Sequence, residues 1–350
     1  MGRSSVPPEA NTIVTDVPPP EISVVVCTYN GAERLPAVLD HLAAQEPPAD
    51  LAWEIVLVDN ASTDGTRAVA ASVQTGALPS LRYIYEAAPG LTPARQCGVR
   101  ASRGAWIAYV DDDNLLEQGW LAAIRQAIRD HPDAGGIGGE IVLDWPVPPP
   151  GYLRPFGFCF AEQTVGPCDR QCDNLAGAGM VLKREALLAS GWLDQPLLGD
   201  RTGDKLVSGG DVEIAQRVRA AGYNLWLTPA ARLRHRIPDH RMSRSYLFRI
   251  NFELGVSSAM IGLLTWPSGW TGWRAHTRAS QADWRRKVRR GLADALRRRR
   301  GLTEAIAWAS FARGYNRGID RCLELSLTER GRLLGAGDTG RAPAAHPRAA

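Results

Sequence analysis

Three consecutive aspartates, Asp111, Asp112 and Asp113, follow the apolar residues 106–110. Carboxylates this close together repel one another and raise each other's pKa unless a cation lies among them. A divalent metal that also binds phosphate oxygens is the usual cation, because Mg²⁺ and Mn²⁺ prefer hard oxygen ligands. The alternative is a solvated turn in which Asp113 or Asn114 caps the next helix. The triplet by itself favours neither a metal site nor a capping turn.

Two earlier apolar runs also end in polar turns. The turn within residues 27–34 can present Thr28 and backbone N–H groups to a nucleotide, or it can simply cap the next helix. Asp59 ends the second run, where it can accept a hydrogen bond from a ribose hydroxyl or a base N–H. Asp64, a little further on, is expected to cap a helix. The first turn lacks G-x-G-x-x-G, so it is not a Rossmann dinucleotide fingerprint.

Two residues in the second half of the chain suit catalysis or metal binding. Asp211 follows the glycine-rich residues 208–210 and opens a predicted helix. There it can cap that helix or act as a general base. His235 ends a predicted strand. A lone histidine is more often structural, but a neutral imidazole could complete an aspartate–metal site.

Strands and helices alternate from residue 22 onwards. The β-branched run at residues 22–28 is typical of a strand buried on both faces. The alternation predicts a parallel sheet with helices on both sides, and such sheets bind ligands beyond the carboxyl ends of their strands. Thr28, Asp59 and Asp111 all lie at that end. We predict strands at residues 22–28, 53–59, 81–85 and 106–110, and helices at 34–45, 66–72, 91–101 and 118–129.

The rest of the chain is less regular. Pro-rich residues 145–155 predict a functional loop, and a second polar loop is predicted at residues 197–210. Beyond about Met242 the chain is predicted to be helical throughout. Between these parts we predict regular structure at residues 177–182, a helix from Arg184, a helix at 211–221, and short strands at 223–227 and 232–235.

The composition is that of a globular protein with one strongly basic segment. Hydrophobic residues make up 45% of the 350 and charged residues 22%. Residues 274–300 carry a net charge of +9, so the rest of the chain, in a total of +4, carries −5. The six cysteines lack zinc-site spacing and residues 1–20 lack a signal-peptide core, so we expect a reduced, cytoplasmic protein. Residues 254–266, the longest apolar stretch, are expected to be too short to span a bilayer.

Five motifs follow one another along the chain: Thr28-Tyr29-Asn30, Asp59 in Asp-Asn-Ala-Ser-Thr-Asp-Gly-Thr, the aspartate triplet as an Asp-x-Asp motif, residues 177–185, and Gly210-Asp211. With these motifs in this order, residues 22–235 resemble the family 2 glycosyltransferases, which are inverting enzymes with the GT-A fold. Two residues depart from the family pattern: Gly210, where the family often has Glu, and Gln96, where it often has Asn.

The resemblance implies a role for each candidate residue. Asp113, with His235, would bind the Mg²⁺ or Mn²⁺ that bridges the donor diphosphate, and Asp211 would take the proton from the acceptor hydroxyl. Asp112 would contact the ribose, whereas Asp111 would mainly shape the turn beside the donor. The other donor-binding residues would be Thr28, Tyr29, Asn30, Glu33, Asp59 and Arg95.

The resemblance also implies partners: a nucleotide-sugar donor and a glycan or lipid-linked acceptor, in polysaccharide or glycolipid synthesis. Residues 281–300 predict a basic amphipathic helix that either lies on the anionic inner face of the cell membrane or packs on the domain. Nucleic acid is not expected, because no recognition fold accompanies the arginines. The predicted organisation is a disordered arm at 1–20, a GT-A catalytic domain at 21–240 (nucleotide-binding half 21–115, acceptor half 116–240), a basic helical extension at 241–334 and a disordered tail at 335–350.

Two other functions are alternatives. Gly210 and the basic segment also fit a non-catalytic sugar-nucleotide-binding or scaffold protein. A sugar-nucleotide pyrophosphorylase would need a glycine-rich, basic phosphate loop after the first strand, and residues 27–34 contain one Gly and one Arg.

Overall fold

The computed structural model describes residues 19–73, 78, 80–199, 206–264, 269–297, 301–326 and 328–330. Nearly all of the predicted arm at 1–20 and the whole predicted tail at 335–350 lie outside these ranges. So do residues 200–205 of the second polar loop and residues 298–300 of the basic segment.

The first seven elements confirm the predicted alternation of strands and helices. β1 is buried along its whole length, and β2 and β4 are buried except at one end. The differences are confined to the ends, with α1 finishing at Ala43 instead of residue 45. The elements are β1 (Ile22–Thr28), α1 (Leu35–Ala43), β2 (Trp53–Asp59), α2 (Thr66–Val73), β3 (Leu81–Tyr85), α3 (Leu91–Ala101) and β4 (Trp106–Asp111).

The following elements include strands that the sequence did not predict. β6 escaped prediction because it is rich in glycine, which is depleted in strands. These glycines permit close packing, since a Cβ on Gly139 would overlap the carbonyl oxygen of Ala231. The two short strands expected at 223–227 and 232–235 are one strand, and the Pro-rich loop leads into a 3₁₀ helix at Gly151–Phe160. The elements are β5 (Asn114–Leu116), α4 (Trp120–Asp130), β6 (Ala134–Asp144), β7 (Arg170–Cys172), β8 (Val181–Lys183), α5 (Arg184–Ala189), α6 (Gly210–Ala220) and β9 (Asn224–Arg236).

The nine strands of the described residues form one sheet in the order β3-β2-β1-β4-β8-β6-β9-β5, with β7 pairing beside β9. The four longest ladders are parallel, which confirms the predicted mainly parallel sheet. In the register of β1, Thr28 lies opposite Asp59 on one side and Cys27 lies opposite Asp111 on the other. The sheet thus brings three predicted site positions to one edge.

Three long helices follow a short 3₁₀ turn at Asp239–Met242, as predicted for this region: α7 (Arg244–Leu264), α8 (Gly269–Leu296) and α9 (Leu302–Glu324). α7 and α9 approach closely because Gly314 faces the backbone of Phe252 without a side chain between them. α7 begins well upstream of the predicted apolar stretch, and with these added residues it is, by length and composition alone, long and apolar enough to cross a membrane. Its most apolar window is 67% buried in the protein, a pattern shared by core helices of soluble proteins.

A buried carboxylate, Glu54, connects the parallel strands β1, β2 and β3. Glu54, on β2 and 1% exposed, accepts hydrogen bonds from the Ser23 hydroxyl (2.7 Å) and from the Arg103 backbone N–H (2.7 Å). The guanidinium groups of Arg82 and Arg103 each lie 3.0 Å from Glu54 Oε2. Burial alone would raise the pKa of Glu54, but these donors more than compensate and the pKa is lowered.

We expect Glu54→Gln to lower the free energy of unfolding by about 2 kcal/mol, because charge-assisted hydrogen bonds become neutral ones. Both arginines remain partly exposed, so neither charge is stranded. Since the folded-state pKa is lowered, the difference should be full at neutral pH and shrink as pH falls through that pKa. Urea unfolding at several pH values measures it. The control is Glu117→Gln, which alters an exposed ion pair with Arg232 and should change the free energy of unfolding by no more than about 0.5 kcal/mol. If both variants lost the same stability, the stabilising role of Glu54 would be refuted.

Candidate active site

A cavity of about 780 Å³ opens at the carboxyl ends of the parallel strands. Its walls come from the ends of β1 and β4, the start of α3, the 3₁₀ helix at Gly151–Phe160, the start of α6 and the end of β9. Eight of the eleven predicted site residues line it: Thr28, Tyr29, Arg95, Asp111, Asp112, Asp113, Asp211 and His235.

Asp112 is held by the turn after β1. The Thr28 hydroxyl donates to Asp112 Oδ2 (2.7 Å), and the Arg34 guanidinium donates to both carboxylate oxygens at 3.1 and 2.9 Å. A Cβ on Gly31 would overlap the Thr28 hydroxyl and lie 2.5 Å from Asp112 Oδ2, so only glycine fits there. Burial and the adjacent Asp113 raise the pKa of Asp112, while Arg34 and Thr28 oppose the rise.

Asp111 faces the cavity instead of closing the turn. The Asn114 side chain closes the turn by accepting the backbone N–H of Asp111 at 3.1 Å. The Asp111 side chain is 30% exposed, and its Oδ1 lies 3.6 Å from the buried Arg95 guanidinium. Burial raises the pKa of Asp111 and Arg95 opposes the rise. Asp111 is therefore more exposed to the cavity than Asp112, which is engaged by protein groups.

Asp113 lies between His235, near the end of β9, and Arg241, in the turn that follows β9. Its Oδ1 is 3.4 Å from His235 Nε2, and its Oδ2 is 3.6 Å from the Arg241 guanidinium. His235 Nδ1 is 2.7 Å from the Phe160 carbonyl oxygen, to which it donates a hydrogen bond, and Nε2 is the ring nitrogen that faces Asp113. Burial lowers the pKa of His235, but the Asp113 carboxylate outweighs it and the net pKa is raised.

The Asp113–His235 pair suits a metal that takes its other ligands from a bound molecule. No cluster of three or more His, Cys, Asp or Glu side chains placed to hold a metal occurs among the described residues. A carboxylate and an imidazole oriented by a carbonyl are nevertheless a usual partial ligand set for a divalent ion. Substrate phosphates commonly complete such sites.

Asp211 is positioned by backbone groups at the start of α6. Its Oδ2 accepts the N–H of Gly177 (2.8 Å) and its Oδ1 accepts the N–H of Val212 (2.9 Å). A Cβ on Gly177 would lie 2.9 Å from Arg95 Nη2 and 3.3 Å from Asp211 Oδ2, so both groups adjoin the same bare glycine. The two N–H bonds fix the carboxylate, whose oxygens each keep a lone pair for another donor.

The other three predicted site residues lie outside the cavity lining. Asp59 is buried and accepts the Tyr83 hydroxyl (2.7 Å) and the Ser62 N–H (3.0 Å). Asn30 turns to the neighbouring loop and accepts the N–H of Thr63 at 2.8 Å. Glu33 is exposed beside α1.

Asp64 caps α2, as predicted. Its Oδ1 accepts the Thr66 N–H at 3.0 Å, at the first residue of that helix.

Two arginines of the site were missed by sequence reasoning. Arg34 pairs with Asp112 although 78 positions separate them, and Arg241 reaches Asp113 from the turn after β9. The adjacency of Arg34 to the Thr28 turn was a usable signal. For Arg241, only the pairing of β9 with β5 reveals the proximity, because that pairing sets His235 opposite Asn114.

Comparison with solved structures identifies the fold. The protein is similar to a mannosyltransferase from Pyrobaculum calidifontis in complex with GDP-Man and Mn²⁺, with a TM-score of 0.56 and 20% identity over 86% of this chain and 87% of that one. It is also similar to GalNAc-T7 with UDP, GalNAc and Mn²⁺, with a TM-score of 0.51 and 16% identity over 69% of this chain and 51% of that one. These likenesses confirm the predicted GT-A fold.

The strand edge of this GT-A fold gathers aspartates around one cavity. Residues 23–187 match the family model described as "Glycosyl transferase family 2", so they form a family 2 glycosyltransferase domain and the predicted resemblance is confirmed.

Curated relatives agree with this family. A glucosyl-dolichyl phosphate glucuronosyltransferase of Haloferax volcanii is 26% identical over 70% of this chain and 78% of its own length. A succinoglycan biosynthesis protein of Rhizobium meliloti is 23% identical over 67% of this chain and 72% of its own length.

Proposed function

We propose that this glycosyltransferase moves a sugar from a nucleotide-diphosphate donor to a hydroxyl of a glycan or lipid-linked acceptor, with inversion at the anomeric carbon. The observation that carries the proposal is one cavity with a fixed carboxylate, Asp211, on one wall and the aspartate triplet on another. An acceptor hydroxyl beside Asp211 can attack a donor sugar whose diphosphate lies at the triplet. A single in-line attack of this kind inverts the reacting carbon.

The donor nucleotide fits the edge formed by β1, β2 and β4. Thr28 and Tyr29 border the cavity there, and Tyr29 is 49% exposed, as expected of a side chain available to a base or ribose. Asp111, open to the cavity, is the better placed of the first two aspartates for a ribose hydroxyl, while Asp112 with Arg34 keeps the turn in shape. We assign donor binding also to Arg95 and, through the loops that they hold, to Asn30, Glu33 and Asp59.

The cofactor in this proposal is Mg²⁺ or Mn²⁺ at Asp113 and His235. When bound, the ion would stabilise the negative charge that grows on the leaving nucleoside diphosphate. Arg241, 18% exposed beside Asp113, supplies a further positive charge to the same phosphates. Mn²⁺ is present in both solved structures cited above.

Asp211 is the general base of the proposed reaction. Its two N–H bonds aim the carboxylate, and the start of α6 adds the positive end of a helix dipole. The carboxylate accepts the proton of the acceptor hydroxyl as the new glycosidic bond forms. Gly210 stands where the family often has Glu, and it adds no side chain beside the base.

The acceptor is proposed to be a growing glycan or a glycolipid at the cytoplasmic face of the cell membrane. The Haloferax volcanii relative, by its name, uses a dolichyl phosphate-linked sugar. In this chain the cationic side of α8 is suited to anionic lipid headgroups. Sedimentation with vesicles that contain or lack anionic lipid tests this placement: binding that ignores lipid charge and salt would count against it.

The central test is a transfer assay with a panel of nucleotide sugars, Mn²⁺ and sugar acceptors, followed by NMR of the product. We expect release of nucleoside diphosphate and a product whose anomeric configuration is opposite to that of the donor. Retention of configuration would contradict the single displacement. Donor binding without turnover on any acceptor would support a non-catalytic sugar-nucleotide-binding protein instead.

A further inference from the structure

Aromatic side chains connect the rim of the cavity to the basic helix α8. Phe158 lines the cavity and is 48% exposed. Its ring stacks on Trp308 of α9, with centroids 6.0 Å apart and planes at 23°. Trp308 in turn stacks on Trp284 of α8, at 6.0 Å and 24°. We call Phe158, Trp308 and Trp284 the aromatic ladder.

The ladder is suited to hydrocarbon more than to sugar. Sugars pack on open ring faces, but Phe158 and Trp284 each turn one ring face towards Trp308, which leaves less open face for a sugar. Lys287 Nζ also lies 4.9 Å from the centroid of Trp284, within cation–π distance. Trp284 and Trp308 are half-buried, so the ladder offers a partner a partly exposed apolar surface.

The apolar surface continues from Trp284 along α8. Val288, Leu292 and Leu296 follow at intervals of four residues, which keeps them on one side of the helix. Their exposure grows along the helix, with Leu292 38% and Leu296 86% exposed. The stripe from Trp284 to Leu296 is about 18 Å long at the usual helical rise. Leu302, at the start of α9, is a further exposed apolar residue at 60%.

Exposed cations border this stripe. Residues 285–290 are all Arg or Lys except Val288, and the charged ones are all exposed. A row of leucines bordered by cations matches the two parts of a membrane surface, hydrocarbon and anionic headgroups. The same surface begins at the rim of a cavity that, in the proposed function, holds the acceptor hydroxyl.

We propose that the surface from Phe158 over the aromatic ladder to Leu296 binds the hydrocarbon chain of a lipid-linked acceptor. The lipid-borne sugar enters the cavity towards Asp211, and the chain leaves across Phe158 and lies along α8. The cations of α8 then face the headgroups of the membrane that holds the lipid. This inference rests on the proposed function and makes the acceptor a long-chain lipid-linked sugar.

The test compares acceptors in which one sugar is linked through phosphate to alkyl chains of increasing length. Each is used below its micelle-forming concentration and without vesicles, so that any preference comes from direct contact with the chain. We expect kcat/KM to rise at least about tenfold from the shortest to the longest chain, because each buried methylene adds to binding. Trp284→Gln and, separately, Leu292→Gln should flatten this rise, and Leu292 is exposed enough that its variant should fold.

Leu188→Gln is the matched control, because Leu188 is an exposed leucine (58%) on α5, away from the ladder. It should keep the dependence on chain length. A wild-type rate that ignores chain length, a rise seen only with vesicles, or equal rises in all variants would overturn the inference. Absence of transfer to every acceptor would instead refute the proposed function.

Discussion

Asparagine at position 211 should lower kcat for sugar transfer by about 10²–10⁴-fold, because the acceptor hydroxyl then has no base to take its proton. Asparagine has nearly the same shape, so Asp211→Asn should leave donor binding within about twofold. Its amide can accept only one of the two N–H groups, from Gly177 and Val212, that the carboxylate accepts. Stability should therefore fall by about 1–3 kcal/mol. Rates and calorimetric donor affinity, measured on protein shown to be folded, separate these effects.

Asp173→Asn provides the control for the base variant. Asp173 is 51% exposed and pairs with Arg219 on α6, the helix that also carries Asp211. Its loss alters the charge of the same region without touching the cavity, so kcat should stay within about twofold. A folded Asp211→Asn protein with wild-type kcat would rule out the base assignment.

Asparagine at position 113 should lower kcat/KM by about 10²–10³-fold, because one ligand of the proposed metal loses its charge. A second expected effect does not depend on turnover. With nucleoside diphosphate present, Asp113→Asn should bind Mn²⁺ more weakly than the native protein does, as measured by calorimetry. In Asp113→Asn, His235 also loses the carboxylate that raises its pKa. The imidazole of His235 should then be neutral more often, which is the form that binds a metal. This gain should not compensate for the loss of the charged carboxylate ligand at position 113.

The control for the metal variant is Asp130→Asn. Asp130 is exposed at the end of α4, where its side chain accepts a hydrogen bond from Gln126 of the same helix. This variant should change neither the rate nor Mn²⁺ affinity. Full activity of the native protein after thorough chelation, or an unaltered Mn²⁺ affinity in Asp113→Asn, would contradict the metal role of Asp113.

The parallel half of the sheet could be predicted because its signals are local. β1, β2 and β4 are apolar runs, which is typical of strands buried on both faces, and all three are buried in this way except at one end of β2 and of β4. β6 could not be predicted, because its glycines are required by close contacts with residues far along the chain, such as the contact of Gly139 with Ala231. A strand whose composition is set by packing leaves no periodic trace in its own sequence.

The site follows the same division. Thr28, Asp111 and Asp211 line the cavity, and their positions could be predicted because the first two end apolar strands and Asp211 opens a helix. The roles within the triplet could not be predicted, since they depend on which partner each carboxylate meets. Arg34 pairs with Asp112 and Arg95 with Asp111, and both pairs form because the folded chain brings these residues close together.

The close packing of α7 on α9 has a consequence for synthesis of the chain. α7 is apolar enough to resemble a membrane span, and the helix that covers it, α9, begins only at Leu302, after the whole of α8. At about 5–20 residues per second, a ribosome needs several seconds to make the stretch between them. During that interval the nascent chain presents an uncovered apolar helix to chaperones and to the membrane-insertion machinery. Termination before α9 would leave this exposure permanent, so the synthesis of α9 ends the period in which the apolar surface of α7 lacks its partner helix.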